Sequence, residues 1–344
     1  MYTHVSLFAG LGGFIMAGNR NRFKTVLANE IESACGFALR ANFPDVSLSL
    51  KDVREFKPEH FSELEEGIDV LSAGFPCQSF SQAGDNLGFE DERGKLFFEI
   101  PRICKEMGKF PKVLLLENVP FLKIFDGGAR LKTVINELRR IGYWVSESNA
   151  EILDSYDFGD TPQRRERLYI VAFHSTYFKK NKFTFPHLKH NKHKSLWDYI
   201  DRDKQADAKL YLDPENKYAR MIARSAETNG TNRVFQIRRT EVRACTENIC
   251  PTLTANMGGG GHNVPFVVDA WGIRKLSVQE ITGLQCIREN EFIFPIGISE
   301  ASKLTMLGNA ICIDVVDKIF DAIRTNLNEV YLGDFQKTML ALSK

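Results

Sequence analysis

The chain has 344 residues, a formal net charge of +1, 43% hydrophobic and 26% charged residues. That is enough for a large core and about two domains, and it excludes a disordered chain. Three further features point to a reduced, cytoplasmic setting: no apolar run near the roughly 18 residues of a membrane helix, Thr3, His4 and Ser6 where a basic-then-apolar leader would begin, and seven cysteines with no Cys-x-x-Cys pair that could hold zinc.

Through the first half, short apolar runs alternate with longer helical patterns. Val5-Ser6-Leu7-Phe8 reads as the first strand and ends in Ala9-Gly10-Leu11-Gly12-Gly13-Phe14. Glycines there let the backbone turn sharply and approach a ligand at the carboxyl edge of a parallel sheet. Thr25-Val26-Leu27-Ala28 is the next strand and runs into Asn29-Glu30, where an acid can grip a ribose diol. Asp52, in Lys51-Asp52-Val53, closes another apparent strand. The glycine turn is not Gly-x-Gly-x-x-Gly, so a pyrophosphate-bearing dinucleotide is disfavoured. A nucleoside without phosphates, such as S-adenosylmethionine, suits it better; a simple tight turn is the bland alternative.

Ile68-Asp69-Val70-Leu71 reads as a strand leading to Gly74-Phe75-Pro76-Cys77-Gln78-Ser79-Phe80-Ser81. A cysteine just past a strand, behind a proline that stiffens the turn, is well placed as a nucleophile. A free thiol is mostly protonated at neutral pH and needs a lowered pKa or a base; at the other six cysteines the reading is an inert buried thiol. Ser79 to Gly94, with Gly84, Gly88 and Gly94, reads as a loop able to close over a site. Ile100 to Met107 and Leu131 to Ile141 carry helical periodicity, and between them Lys112-Val113-Leu114-Leu115-Leu116 delivers Glu117-Asn118-Val119. A carboxyl at such a strand end, beside apolar residues, can act as an acid. Pro162-Gln163-Arg164-Arg165-Glu166-Arg167 precedes a last strand, Leu168 to Phe173; if extended, it turns Arg165 and Arg167 to the same side. Runs apolar on both faces suit a parallel sheet covered by helices, so the class is α/β.

Beyond Phe173 the texture changes. From His174 to Cys245 sixteen Lys and Arg face eight Asp and Glu, an excess that suits a polyanion and leaves the rest of the chain acidic. His187, His190 and His193 have no matching cysteine or carboxylate cluster, so they read as basic linker and not as metal ligands. Glu300 to Asn328 returns to helical periodicity.

Taken in order, Phe8 to Phe14, Pro76-Cys77-Gln78, Arg93 to Phe97, Glu117-Asn118-Val119, Gln163 to Arg167, Arg274 to Glu280 and Gly308-Asn309-Ala310-Ile311 resemble the cytosine-C5 DNA methyltransferase family of bacterial restriction-modification systems. One departure stands out: Leu284-Gln285 is followed by Cys286-Ile287 where the family commonly has Gly-Phe-Pro, which affects the local turn and not the chemistry.

The resemblance implies a Rossmann-like S-adenosylmethionine-dependent methyltransferase sheet with a smaller, irregular target-recognition domain. The expected division is 1–178 catalytic, 179–298 target-recognition and 299–344 a helical segment returning to the first. It also implies that Cys77 attacks C6 of a flipped-out cytosine, that Glu117 bonds N3 and the exocyclic amine, and that Arg167 holds O2 with Arg165 in support. Phe8, Gly10, Leu11, Gly12, Gly13, Glu30, Ile31, Asp52, Val53, Pro76, Leu96, Asn309 and Ala310 are the implied contacts to S-adenosylmethionine. Gln78, Ser81, Arg238, Arg239, Thr252, Thr254 and Gly258 are the implied contacts to double-stranded DNA. A guanidinium can pair guanine O6 and N7 together, although phosphate contact is the commoner role of any one arginine. A monomer in the bacterial cytoplasm at the nucleoid, with a cognate restriction endonuclease acting separately on the same site, completes the expectation. The rivals are a tRNA cytosine methyltransferase on the same motifs, a catalytically dead DNA-binding module and a nicotinamide dehydrogenase.

Overall fold

Eight strands of the first half form one sheet in the computed structural model, which describes residues 1–57, 67–76, 92–186, 194–238, 241–259 and 263–342. They are β1 (Tyr2–Leu7), β2 (Phe23–Asn29), β3 (Ser47–Ser49), β4 (Val70–Gly74), β5 (Val113–Asn118), β6 (Tyr143–Trp144), β7 (Ala150–Asp154) and β8 (Glu166–His174). Their order is β3-β2-β1-β4-β5-β8-β6, with β7 paired to β8. β3, β2, β1, β4 and β5 are mutually parallel, as their unbroken apolar runs predict. Val5, Leu7, Leu71, Leu114 and Leu116 are fully buried, and the helices Glu99–Glu106 and Ala129–Arg140 cover them with Ile100, Ile103, Leu131, Val134 and Leu138.

The last long strand departs from an all-parallel reading. β8 runs antiparallel to β5, with Glu117 opposite Tyr169 and Asn118 opposite Leu168. Between β7 and β8 no crossover helix carries the chain back across the sheet; it arrives from the short strand β7 through the four-residue helix Ser155–Phe158 and a turn. An antiparallel neighbour needs no longer connection than that.

The chain divides into two compact units, Met1–Leu153 with Glu166–His187 and Val316–Lys344, and Asp154–Arg165 with Leu188–Val315. In the first, the long C-terminal helix Ile313–Leu342 lays Phe320 against Phe23 and His4, with ring centroids 5.0 and 5.3 Å apart. In the second, β9 (Phe235–Arg238), β10 (Glu241–Ala244), β11 (Pro265–Asp269) and β12 (Gly272–Lys275) form an antiparallel sheet in the order β10-β9-β11-β12. Helix Lys217–Asn229 packs Ile222 and Ala226 against Phe235, Ile237 and Phe266.

The predicted Arg274 to Glu280 segment acts here as structure. Arg274 is 1% exposed and bonds Asp269 and Glu280, each at 2.8 Å. Ser277 and Glu280 form a capping box at the start of helix Val278–Leu284. Stranding one partner of such a buried charged group is far costlier than the pair's own net worth. The stretch Glu300 to Asn328 is two helices, Glu300–Asn309 in the second unit and Ile313–Leu342, which passes into the first at Val316.

Candidate active site at the carboxyl edge of the sheet

Parallel strands all point their carboxyl ends to one edge, and the chain reverses its direction of travel across the sheet between β1 and β4. Ligands of open α/β sheets bind at such a reversal. The turn after β1, Glu30 after β2, Asp52 after β3, Pro76 after β4 and Glu117 near the end of β5 all stand at that edge.

The glycine turn is a left-handed device. Phe8, Gly10 and Gly12 have φ of 53°, 56° and 88°. At Phe8, a bulky residue, such a φ costs on the order of 1 kcal/mol, and its ring is partly buried against the core. A side chain at Gly12 would strike Phe43 and Leu39, so this glycine serves packing. At Gly10 a Cβ would meet nothing within 4 Å among the described residues, which leaves open space beside the backbone there. Glu30 fixes the turn from below: one carboxylate oxygen accepts from the Gly10 N–H at 2.6 Å and the other from the Glu32 N–H at 2.8 Å. Burial raises the pKa of Glu30, opposed by those same backbone bonds.

Asp52 is held by Arg54, whose Nε and a terminal nitrogen reach its two oxygens at 3.0 and 2.7 Å. The Arg54 contact is the first cause of its lowered pKa. Val53 is buried, Leu96 half-buried against the core, and Ile31 exposed.

On the other side of the reversal, Gly74 pairs with Glu117, and a Cβ on Gly74 would lie 3.4 Å from the Glu117 carboxylate. Glu117 Oε1 stands 3.1 Å from Arg167 Nε, with the side chains 12% and 16% exposed. The antiparallel course of β8 is what makes this contact: it sets the amino end of β8 beside the carboxyl end of β5. Asn118 donates to the Phe75 carbonyl at 3.2 Å and so ties down the backbone that enters Pro76. Asn29 likewise donates to the Lys51 carbonyl at 2.8 Å, one residue before Asp52. Sequence reading gave neither asparagine a role, although a polar amide ending an apolar run was the available signal.

Cys77, Gln78, Ser81 and Arg239 lie outside the described residues, as do most of the segment Ser79 to Gly94 and His187, His190 and His193.

Arg165 and Arg167 part company despite their spacing. Arg165 is 2% exposed and donates to the carbonyls of Leu253 at 2.6 Å, Gly308 at 3.0 Å and Ala310 at 2.5 Å, all in the second unit. Gln163 is fully buried, donates to the Leu284 carbonyl at 2.9 Å and accepts from the Leu253 N–H at 3.1 Å. The Gln163 to Arg165 segment therefore stitches together backbone from distant parts of the second unit.

Several residues predicted to touch cofactor or DNA are engaged in that fabric. Thr252 donates to the Arg164 carbonyl at 2.7 Å and Thr254 to Asn256 at 2.6 Å. A Cβ at Gly258 would collide with Ala301 and Thr305, and one at Gly308 with the backbone of Thr254 and Ala255. Asn309 is exposed, Ala310 is buried, and Arg238 is exposed at the end of β9. Among the described residues no group of three or more His, Cys, Asp or Glu side chains could hold a metal ion, and no helix is long and apolar enough to cross a membrane.

This sheet has the fold of solved methyltransferases. A methyltransferase of Entamoeba histolytica shares the fold at a TM-score of 0.72 and 16% identity, covering 95% of this chain and 99% of that one. The S. pombe Dnmt2 methyltransferase does so at 0.69 and 19%, covering 95% and 100%.

The chain belongs to the C-5 cytosine-specific DNA methylase family, whose model matches residues 2–325. Its relatives include the type II methyltransferase M.Bsp6I of Bacillus sp. (strain RFL6), 37% identical over 94% of this chain and 98% of that protein. M.HpaII of Haemophilus parainfluenzae is 32% identical over 96% and 91%. The protein is thus a DNA (cytosine-5-)-methyltransferase that acts on DNA, and the family uses S-adenosylmethionine as a class.

Proposed function

We propose that this enzyme methylates C5 of a cytosine swung out of a specific duplex sequence, through a transient bond between Cys77 and C6. The paired Glu117 and Arg167 at the sheet edge support the reading most: a carboxyl and a guanidinium 3.1 Å apart offer complementary groups to one pyrimidine edge. Extruding the base costs a few kcal/mol, and it is needed because a stacked ring hides C6.

The Cys77 sulfur adds to C6 and makes C5 nucleophilic. Glu117 bonds N3 and the exocyclic amine, and Arg167 holds O2, so charge on the ring is stabilised as it develops. S-adenosylmethionine, when bound, supplies an electrophilic methyl group that C5 takes. Solvent water takes the C5 proton, the electrons of that bond re-form the C5–C6 double bond, and the C6–S bond breaks to release the Cys77 thiolate.

The turn from Phe8 to Gly13 fits an adenosyl donor in two respects. Among the described residues Gly10 leaves open space at its backbone, and the Glu30 carboxylate, which accepts backbone N–H groups at this turn, has further acceptor capacity for a ribose hydroxyl. Ile31, Asp52, Val53, Pro76 and Leu96 complete the donor set in the first unit.

Residues 1–178 carry out catalysis in this reading, and 179–298 choose the target, with Arg238 directed to guanine edges or phosphate. The enzyme works as a cytoplasmic monomer, and a separate endonuclease cutting the same sequence accompanies it, as the type II names of its relatives suggest.

Labelled S-adenosylmethionine, duplex DNA and 5-fluorocytosine duplexes test the proposal. The expected results are methyl transfer to DNA over tRNA, a denaturation-stable adduct with the fluorinated duplex, and loss of both in Cys77→Ala with S-adenosylmethionine binding retained. Near-normal turnover by Cys77→Ala would refute the covalent route.

A further inference from the structure

Two buried cysteines of the second unit lie close enough to react with each other, and the proposed chemistry uses neither. Cys286 Sγ is 3.2 Å from Cys312 Sγ, while the residues are 7% and 2% exposed. Neither is in a disulfide.

Cys286 stands just after Leu284-Gln285, where the family commonly has the glycine of Gly-Phe-Pro. Its φ is 62°, the left-handed conformation that glycine takes without cost. The backbone at this position thus takes a conformation that suits glycine, with a thiol built onto it. The backbones around the two sulfurs are already fastened together: Gln285 donates through its side chain to the Leu307 carbonyl at 2.8 Å, and the Ile313 N–H donates to the Gln285 carbonyl at 3.2 Å.

We propose that Cys286 and Cys312 are an oxidant-sensitive pair that closes to an intramolecular disulfide and locks the turn after helix Val278–Leu284 to the link before helix Ile313–Leu342. Closure needs the sulfurs to approach by roughly 1 Å, to a bond of about 2.05 Å. With a peroxide as oxidant, the more exposed Cys286 gives its sulfenic acid and one water. The Cys312 thiol then attacks that sulfur, forming the S–S bond and releasing a second water. Burial pushes the Cys286 thiol well above its ordinary pKa, so the first step is slow and calls for sustained oxidant.

The folded full-length chain, treated with hydrogen peroxide, quenched, and digested without reductant, tests the pair. The expected product is a cross-linked peptide containing Cys286 and Cys312, two hydrogens lighter than its two parts and cleaved by dithiothreitol. Cys312→Ala and Cys286→Gly remove it. Cys286→Gly also restores the residue that suits a φ of 62°, so it folds even if an alanine variant does not. In the oxidised wild type, amide exchange over residues 307–315 slows, and in Cys286→Gly it does not respond to peroxide. Recovery of both thiols in reduced form, or a cross-link to any other cysteine in the folded chain, overturns the proposal. Because the product is read by mass at positions 286 and 312, the result is independent of whether Cys77 is the nucleophile.

Discussion

Replacing Arg165 by alanine separates architecture from chemistry in the Gln163 to Arg167 segment. The guanidinium donates to three carbonyls, those of Leu253, Gly308 and Ala310, at 2.6, 3.0 and 2.5 Å. Its side chain is 2% exposed, so no water stands ready to replace it. Each stranded buried acceptor costs about 1–3 kcal/mol, and water entering the vacated space recovers part of that, which gives a loss of about 3–6 kcal/mol. Against a total stability of about 5–15 kcal/mol, this leaves the second unit marginal or unfolded. Arg165→Lys keeps a charge but not the planar fork, and falls between the two. Urea unfolding followed by circular dichroism, run beside methyl transfer, reads both effects. Arg167→Ala is the control: its partner Glu117 sits at the sheet edge, so the urea midpoint moves little while methyl transfer falls about a hundredfold or more. An Arg165→Ala protein with the wild-type urea midpoint and only a catalytic defect would show that the three carbonyl bonds do not hold the unit together.

Three other perturbations follow from particular contacts. Glu30→Ala removes the acceptor for the Gly10 and Glu32 N–H groups, and is expected to weaken S-adenosylmethionine binding at least tenfold in calorimetry; unchanged affinity would dismiss Glu30 as a donor contact. Gly308→Ala drives a methyl group into the backbone of Thr254 and Ala255, and overpacking of this kind costs about 1–3 kcal/mol, visible as a lowered melting temperature. His4 is fully buried between Thr25 and Ser72, at 2.7 and 2.8 Å, and burial holds its pKa down at about 3 against an ordinary 6.5. The unfolded chain takes up that proton first, so the His4 contribution is complete above pH 6.5 and drains away as the pH falls toward 3. At about 1.4 kcal/mol per pH unit the loss reaches roughly 3 kcal/mol by pH 4. The slope of urea stability between pH 6.5 and 4 should flatten in His4→Gln, and an identical slope in that variant would clear His4 of the effect.

What the sequence revealed, and what it hid, divides along physical lines. The strands at Val5, Thr25, Val70 and Val113 were legible because a strand buried on both faces needs an unbroken apolar run, and a polar residue ending such a run must be at the edge. Glu30 and Glu117 were found by that logic. Local pattern carries no information about which strand is a neighbour or which way it runs, so the antiparallel β8 was not legible, and only the family resemblance brought Glu117 and Arg167 to one site. Spacing put Arg165 and Arg167 on one side of an extended segment, yet it could not tell that one guanidinium would be buried among carbonyls. Likewise the missing glycine at Cys286 put the local turn in question, and no local pattern could tell that Cys286 itself takes a φ of 62°.

The reversal of β8 is better understood as a requirement of the site than as an irregularity of the sheet. A parallel strand in that place would bring its carboxyl end, Phe173 and His174, to the ligand edge and send Arg167 to the opposite one. Running antiparallel, β8 brings its first residues there, and the register that sets Asn118 opposite Leu168 leaves Arg167 one step further out, within reach of Glu117. The two groups thus come from strands adjacent in the sheet but some fifty positions apart in the chain, and both stand on rigid β-structure. A site that must hold a carboxyl and a guanidinium in fixed mutual geometry gains from that rigidity. Shifting the register of β8 by one residue would turn Arg167 to the other face of the sheet and end the contact.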